Sequence, residues 1–239
     1  MRRFYAPKDS FVDDHVRLAE DEAHHLRDVL RLVVGDEVHV YDGEGGEYKA
    51  TITKIDKRGA EVQILESTSP SSPESTVGLT LAAVLLKGDK FDLVVQKAAE
   101  LGVSNLIPMY SARCDVRRAD HGHRLTRWRR IAQASIRQSG RARNMEITDP
   151  VEFSDLLPTL DVGSTMLFSE RDGNSLPQTF EGKKMTAIVG PEGGWDSAEL
   201  GLAAKLGIQI VTLGGRVVRA ETASIAITAI LLHRFGDVN

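Results

Sequence analysis

AIVGPEGGWDSAEL, spanning Ala187–Leu200, runs from an apolar strand through a Gly-Pro-Glu-Gly-Gly turn into a helix start. Glycine after a strand lets backbone amides and carbonyls approach a ligand closely, because no Cβ holds it off. A polyphosphate is the first ligand to test. A phosphate loop needs Lys followed by Ser or Thr after its last glycine; here Trp195 and Asp196 follow Gly194, and a carboxylate at that mouth repels a phosphate chain. Gly190, Gly193 and Gly194 also miss the spacing of a dinucleotide fingerprint. Asp196 with Glu199 reads as a capping box, and Trp195 with Leu200 as its hydrophobic staple. That explains the second half of the stretch without a ligand and leaves the turn itself to be explained.

Two other stretches stand beside it. LGGRVVRAET (213–222) is glycine-rich and carries Arg219 and Glu221, and Phe168-Ser169-Glu170 ends an apolar run. A pocket walled by backbone and by Phe168, Leu213 and Val218 suits an adenine-and-ribose ligand. Metal chemistry has no comparable basis. His24-His25 and His121-Gly122-His123 lack carboxylate or cysteine partners at ligand spacing. The single cysteine, Cys114, reads as a small packing residue in a reducing compartment.

The elements that position these loops follow from periodicity. DEVHVYD (36–42), YKATITKI (48–55) and AEVQILE (60–66) alternate apolar and polar residues, and a helix over 20–32 precedes them, which together predict a small barrel with one helix. STSPSSPEST (67–76) has no large apolar residue and reads as a linker between a domain at 1–66 and one at 77–239. Beyond it strands alternate with helices: strands at 77–86, 104–110, 165–170, 185–190 and 208–214, helices at 90–101, 124–138, 196–206 and 222–233. The expected class is α/β with a parallel sheet, whose ligands sit beyond the carboxyl ends of the strands. The three stretches above fall at such ends. The last helix is apolar nearly all round, so it must be covered on several sides. No apolar run is long enough to cross a bilayer, and MRRFYAPKDS reads as no signal peptide, so the expected location is the cytoplasm.

Charge narrows the partner. The chain carries a formal −4, yet between Arg113 and Arg143 it has ten arginines (113, 117, 118, 124, 127, 129, 130, 137, 141 and 143) against Asp115 and Asp120. That segment is +8 and the remainder −12, an electrostatic footprint for a polyanion. Arginine suits bidentate phosphate contact and stacking on bases.

KGDKFDLVVQKAAELGV (87–103), RQSGR (137–141), VGPEGGW (189–195) and LGGRVVRAETA (213–223), with the MRRFY start and HHLRDVLRL (24–32), resemble the bacterial ribosomal RNA small-subunit methyltransferase E family, which methylates N3 of a uridine. The resemblance implies a SPOUT methyltransferase domain with a trefoil knot, a feature that pattern reading alone would never choose. It also implies a PUA-like RNA-binding barrel at the N-terminus, a homodimer, and S-adenosylmethionine as cofactor. The cofactor site it implies comprises Leu167, Phe168, Ser169, Val189, Gly190, Pro191, Glu192, Gly193, Gly194, Leu213, Gly214, Val217, Val218, Arg219 and Thr222. Expected RNA contacts are Arg2, Arg3, Arg31, Arg124, Arg127, Arg130 and Arg141, to the small-subunit ribosomal RNA or the assembled subunit. Arg219 is the candidate for stabilising negative charge, and Glu221 or Glu192 for orienting it or accepting a proton; a role in tying down the loops stands beside that one. Arg137 stands where the family has an acidic residue, and Val218 and Ala220 where it has leucine and threonine. Two other readings remain at this point, a non-catalytic ribosomal-RNA-binding protein and a SPOUT enzyme acting on another nucleotide.

Overall fold

The computed structural model describes residues 2–116, 122–171 and 173–238. Arg117, Arg118, Asp120 and His121, counted above, lie outside the described residues. The chain divides into two compact units, one holding Met1–Glu74 and Ile136–Asn144, the other Ser75–Ser135 and Met145–Asn239.

The first unit is built on β1 (Arg3–Tyr5), β2 (Phe11–Val12), β3 (His15–Leu18), β4 (Glu37–Tyr41), β5 (Glu47–Ile55) and β6 (Ala60–Thr68), in the order β1-β4-β5-β6-β3-β2. The first pair is parallel and the others antiparallel. Strands as distant in that order as β1 and β3 share one core, with Phe4, Leu18, Val38, Val40, Ile52 and Val62 buried together, so the sheet curls around it. Helix α1 (Glu20–His24) adds Ala23 to this core, after which the chain widens into a turn whose Leu30 N–H donates to His25 O at 3.0 Å. The helix expected to reach residue 32 therefore stops short; Arg31 sits at φ +55° and turns the chain away.

Arginine and carboxylate pairs bind the segment 136–144 into this unit. The Arg3 side chain is fully buried and donates to Glu47 through Nε at 3.0 Å and Nη2 at 2.7 Å. Its guanidinium also donates to the carbonyls of Arg137 at 3.0 Å and Arg141 at 2.9 Å and lies 5.0 Å from the centroid of the Tyr41 ring. Arg141, 2% exposed, pairs with Glu74 at 3.1 and 2.7 Å. Arg137 pairs with buried Glu22, whose carboxyl burial pushes up to about 7 while the Arg137 charge pulls it back. Backbone bonds complete the join: Ser72 N donates to Gly140 O at 3.1 Å, and Asn144 N to Gly43 O at 2.8 Å. A residue as distant as Arg141 thus belongs with the N-terminal strands. Arg3 and Arg141, expected as RNA contacts, have their donors engaged inside the protein and are structural residues.

The second unit is a parallel sheet. Its strands are β7 (Gly78–Val84), β8 (Asn105–Tyr110), β9 (Glu146–Ile147), β10 (Val151–Glu152), β11 (Thr165–Phe168), β12 (Lys184–Val189) and β13 (Gln209–Val211). The order is β10-β8-β7-β12-β11-β13 with β9 beside β8, and every pair is parallel. Helices are α2 (Lys90–Leu101), α3 (Gly122–Ser139, whose residues from Ile136 on count with the first unit), α4 (Phe153–Leu156), α5 (Ser197–Lys205) and α6 (Ala220–Phe235). Phe91, Val94, Val95 and Ala98 of α2 are buried on one face, and Gly102 at φ +104° ends that helix. Ala82, Val84, Leu167 and Ile188 meet Phe153, Leu156, Ala203 and Ile208 in a second core, while α6 packs against α2, β7 and β12. Ser224 and Thr228, buried on α6, return their hydroxyls to the carbonyls of Ala220 and Ser224 at 2.9 and 2.7 Å. The strand order reverses between β7 and β12, and because β12, β11 and β13 are parallel neighbours their carboxyl ends fall together on one side. The two-residue strands and β1 to β3 escaped the periodicity reading because so few residues carry no period.

Replacing Arg3 with Met should destabilise the protein by about 3–5 kcal/mol, since Glu47 would be left charged and buried without its partner. Urea denaturation measures this. A variant of unchanged stability that binds RNA more weakly would instead return Arg3 to the RNA contacts.

Candidate functional site

Phe168 pairs with Val189 of β12 on one side and with Val211 of β13 on the other, so the three strands end level. Ser169 N donates to Val211 O at 2.9 Å, and the chain after β11 comes back along β13, with Asn174 N on Ile210 O and Thr212 N on Asn174 O, both at 2.9 Å. The loops that follow the three strands enclose a cavity of about 340 Å³. Phe168, Ser169 and Glu170 line it from the first loop; Val189, Gly190, Pro191, Glu192 and Trp195 from the second; Thr212, Leu213, Gly214, Arg216, Val217 and Val218 from the third. Ala220, Ala223, Ala226 and Ile227 of α6 supply the remaining wall.

The Gly-Pro-Glu-Gly-Gly turn is held by its neighbours. Gly194 N donates to Pro191 O at 3.0 Å, and Gly194 has φ +69°. A Cβ there would lie 2.7 Å from a Glu170 carboxylate oxygen, and one at Gly190 would lie 2.8 Å from the Trp195 indole. Trp195 Nε1–H donates to Phe168 O at 2.8 Å, and its ring centroid is 4.9 Å from that of Phe153. Arg113 donates to Gly193 O at 3.2 Å and to Asp196 at 3.3 Å, and Lys90 pairs with Glu192. The capping box expected at the start of α5 is present: Ala198 N donates to Asp196 and Asp196 N to Glu199, both at 3.0 Å. Glu199 accepts a further bond from Ala112 N at 2.8 Å, tying α5 to the end of β8.

The third loop differs in kind. Gly214 and Gly215 have φ +68° and +76°, and Leu213, Val217 and Val218 are exposed at 44%, 68% and 48%. Apolar side chains held in the open along a cavity wall favour a flat, largely apolar ligand.

Ten of the residues expected around a cofactor line the cavity: Phe168, Ser169, Val189, Gly190, Pro191, Glu192, Leu213, Gly214, Val217 and Val218. Leu167 is buried in the strand core, Gly193 and Gly194 shape the turn, and Arg219 and Thr222 are exposed at the start of α6 outside the lining. Glu170, Trp195, Thr212, Arg216 and the α6 residues went unassigned from sequence; the three- to four-residue spacing of Ala220, Ala223 and Ile227 is the signal that marks that helix face. Arg219 is the N-cap residue of α6, and its guanidinium has no partner among the described residues. Glu221 is only 8% exposed, and its Oε2 has no hydrogen-bond partner.

Among the expected RNA contacts, Arg124 and Arg130 are exposed without partners among the described residues. Arg127 is committed to Asp89 at 3.1 Å and to Asp92. Arg2 is 54% exposed at 3.9 Å from Asp36, and Arg31 is exposed. Among the described residues no group of three or more His, Cys, Asp or Glu could hold a metal ion, and no helix is long and apolar enough to cross a membrane.

Comparison with known proteins agrees with this geometry. Residues 73–232 match the model of the RNA methyltransferase domain, and residues 18–65 that of the RNA methyltransferase PUA domain. Relatives named ribosomal RNA small subunit methyltransferase E include one from Rickettsia conorii, 32% identical over 90% of this chain and 87% of its own, and one from Synechocystis sp., 31% identical over 92% and 74%. The crystal structure of the Neisseria gonorrhoeae protein of that name, bound to S-adenosyl methionine, superposes with a TM-score of 0.91 at 32% identity and covers all of both chains. A putative methyltransferase from Legionella pneumophila, in complex with the bound cofactor SAM, gives 0.89 at 27% identity over 99% of each chain.

Trp195→Phe keeps a ring against Gly190 and Phe153 but leaves the Phe168 carbonyl without its donor. We expect a loss of roughly 1–3 kcal/mol in urea denaturation. An unchanged midpoint would mean that the indole N–H does not hold the two loops together.

Proposed function

The chain belongs to the RNA methyltransferase family, and on that premise we propose that it methylates N3 of a uridine in small-subunit ribosomal RNA, with S-adenosylmethionine bound in the cavity beyond β11, β12 and β13. The observation that carries this reading is the cavity itself: the family-like motifs VGPEGGW and LGGRVVRAETA supply two of its three loops and, with Ala220 and Ala223, part of its α6 wall. Its size and apolar walls suit a nucleoside, and its turn backbone suits polar contact to a base and ribose. The bound cofactor supplies a sulfonium-linked methyl group.

The chain's own work is then at the acceptor. Uracil N3 carries its proton at neutral pH and is a poor nucleophile in that state. Groups that stabilise charge spreading onto O2 and O4, or that accept the proton, must assist. Arg219 suits the first role, because its guanidinium is exposed at the start of α6 with no competing carboxylate among the described residues. Glu221, two residues further along in the first turn of the helix and carrying an unpartnered oxygen, suits the second or the orientation of Arg219. The target base lies in folded RNA and must be unstacked to reach either group. The PUA-type unit and the free arginines of α3 supply the RNA grip. A trefoil knot of the SPOUT kind, a homodimer with α6 at its interface and a cytoplasmic location belong to the same proposal. Its supports are the reversal of strand order at β7 and β12, the exposed apolar Ile230 on α6, and the single cysteine.

Incubating small ribosomal subunits lacking the modification with methyl-labelled S-adenosylmethionine, then mapping the labelled nucleoside by mass spectrometry, tests the proposal; label on a ribose or another base would refute the N3 assignment. Arg219→Ala should slow single-turnover methylation roughly a hundredfold, about 2.7 kcal/mol, with cofactor affinity little changed and partial rescue at raised pH. An RNA-affinity loss equal to the rate loss, without rescue, would make Arg219 a phosphate clamp. Arg124→Gln with Arg130→Gln should weaken RNA binding and reduce its salt slope by about 2, leaving cofactor affinity intact. An unchanged slope would place both arginines on free surface.

A further inference from the structure

We propose that Glu170 is the residue by which the cavity distinguishes the cationic methyl donor from its neutral thioether product; the inference rests on S-adenosylmethionine being the ligand. The charged side chains among the described residues lining the cavity are Glu170, Glu192 and Arg216. Glu192 is already neutralised by Lys90. Arg216 repels a cation. Glu170 has no ion-pair partner among the described residues, and among those lining the cavity it is the one carboxylate left uncompensated.

Its position follows from the sheet. β11 lies between β12 and β13, so the residues that follow Phe168 emerge between the two glycine-rich loops. The Glu170 carboxylate reaches across to the Gly-Pro-Glu-Gly-Gly turn, where only the missing Cβ of Gly194 leaves it room: that atom would stand 2.7 Å from Oε1. Glycine at 194 therefore does two things, adopting φ +69° and making space for this carboxylate.

Methyl transfer converts a sulfonium into a thioether. The ligand loses one positive charge at sulfur and otherwise keeps the same adenosine and the same amino-acid ends. A carboxylate facing the sulfur loses its attraction at that moment and holds the product less tightly, which favours exchange for fresh donor. A carboxylate facing the shared α-ammonium would hold both ligands equally.

Isothermal titration of the wild-type protein and of Glu170→Gln with S-adenosylmethionine and S-adenosylhomocysteine separates these cases. We expect the variant to bind the sulfonium about fivefold to tenfold more weakly and the thioether within about twofold of wild type, the scale of one partly solvated charge pair. Sinefungin, which carries an amine in place of the sulfonium, should follow the donor. Glu170→Asp, which keeps the charge, should keep most of the preference, and matched thermal melts establish that each variant is folded. Equal losses for donor and product, or no loss for either, overturn the proposal. If the wild-type protein binds none of the three ligands, the donor reading of the cavity fails instead, and that result is distinct from either.

Discussion

Phe168 stands level with Val189 on one side and Val211 on the other, and the site depends on that register. In a parallel sheet the connections all return to the same edge, so strands that end together deliver their following loops together. A one-residue slip of β11 would turn Phe168 to the opposite face and carry Glu170 out of the cavity. The register is reinforced from outside the sheet ladder. Trp195, on the loop after β12, donates to the carbonyl of Phe168 at the end of β11, and Asn174, on the loop after β11, bonds to β13. Each loop is therefore fastened to a strand that is not its own. Arg113 and Glu199 add a third fastening, from the end of β8 to the turn and to α5. The Gly-Pro-Glu-Gly-Gly turn is fastened by these bonds, while the loop from Leu213 to Arg219 has few such ties and keeps apolar side chains exposed. Ordering a loosely tied loop around a ligand draws on the binding energy, whereas a wall already fastened costs nothing further.

The N-terminal unit meets a different constraint. Its core is small, and part of its interior is ionic: Arg3 with Glu47, Arg141 with Glu74, Arg137 with Glu22. Buried ion pairs contribute little net stability when complete but are costly when broken. Here they select which distant segment joins the sheet, because only 136–144 brings the carbonyls and guanidinium groups that Arg3, Glu22 and Glu74 require. Arg137 has a definite physical role here. Its partner is Glu22, a carboxyl buried enough to be raised to about 7, and an acid at 137 would have placed two such groups together.

Long elements of the second unit were legible because their chemistry is local. Residues 90–101 form the expected helix to the residue, since Phe91, Val94, Val95 and Ala98 repeat at helical spacing and Gly102 ends it. The capping box at Asp196 and Glu199 was equally local, three residues from donor to acceptor. What the sequence left dark depends on partners far along the chain. Nothing near Arg3 says that Glu47 and the carbonyls of 137 and 141 await it, so a terminal arginine reads as a phosphate contact. Nothing near Glu170 says that β11 will lie between β12 and β13. The glycines at 190 and 194 were read as room for a ligand, and their immediate neighbours turn out to be the Trp195 indole and the Glu170 carboxylate.

The basic segment illustrates the same limit in electrostatic terms. Ten arginines gave it a charge of +8, but a charge count weights every guanidinium equally. Burial and pairing do not. Arg141 and Arg137 are matched by Glu74 and Glu22, Arg127 by Asp89 and Asp92, and Arg113 by Asp196. Paired arginines still contribute to the long-range field only in proportion to what their carboxylates leave over, and that field is screened within about 8–10 Å at physiological salt. Close phosphate contact requires a guanidinium with free donors, which among the described residues Arg124 and Arg130 retain. Part of the acidic remainder thus has a structural use: Glu22, Glu74, Asp89, Asp92 and Asp196 neutralise arginines of this segment, and among the described residues Arg124 and Arg130 are left exposed and unmatched on α3.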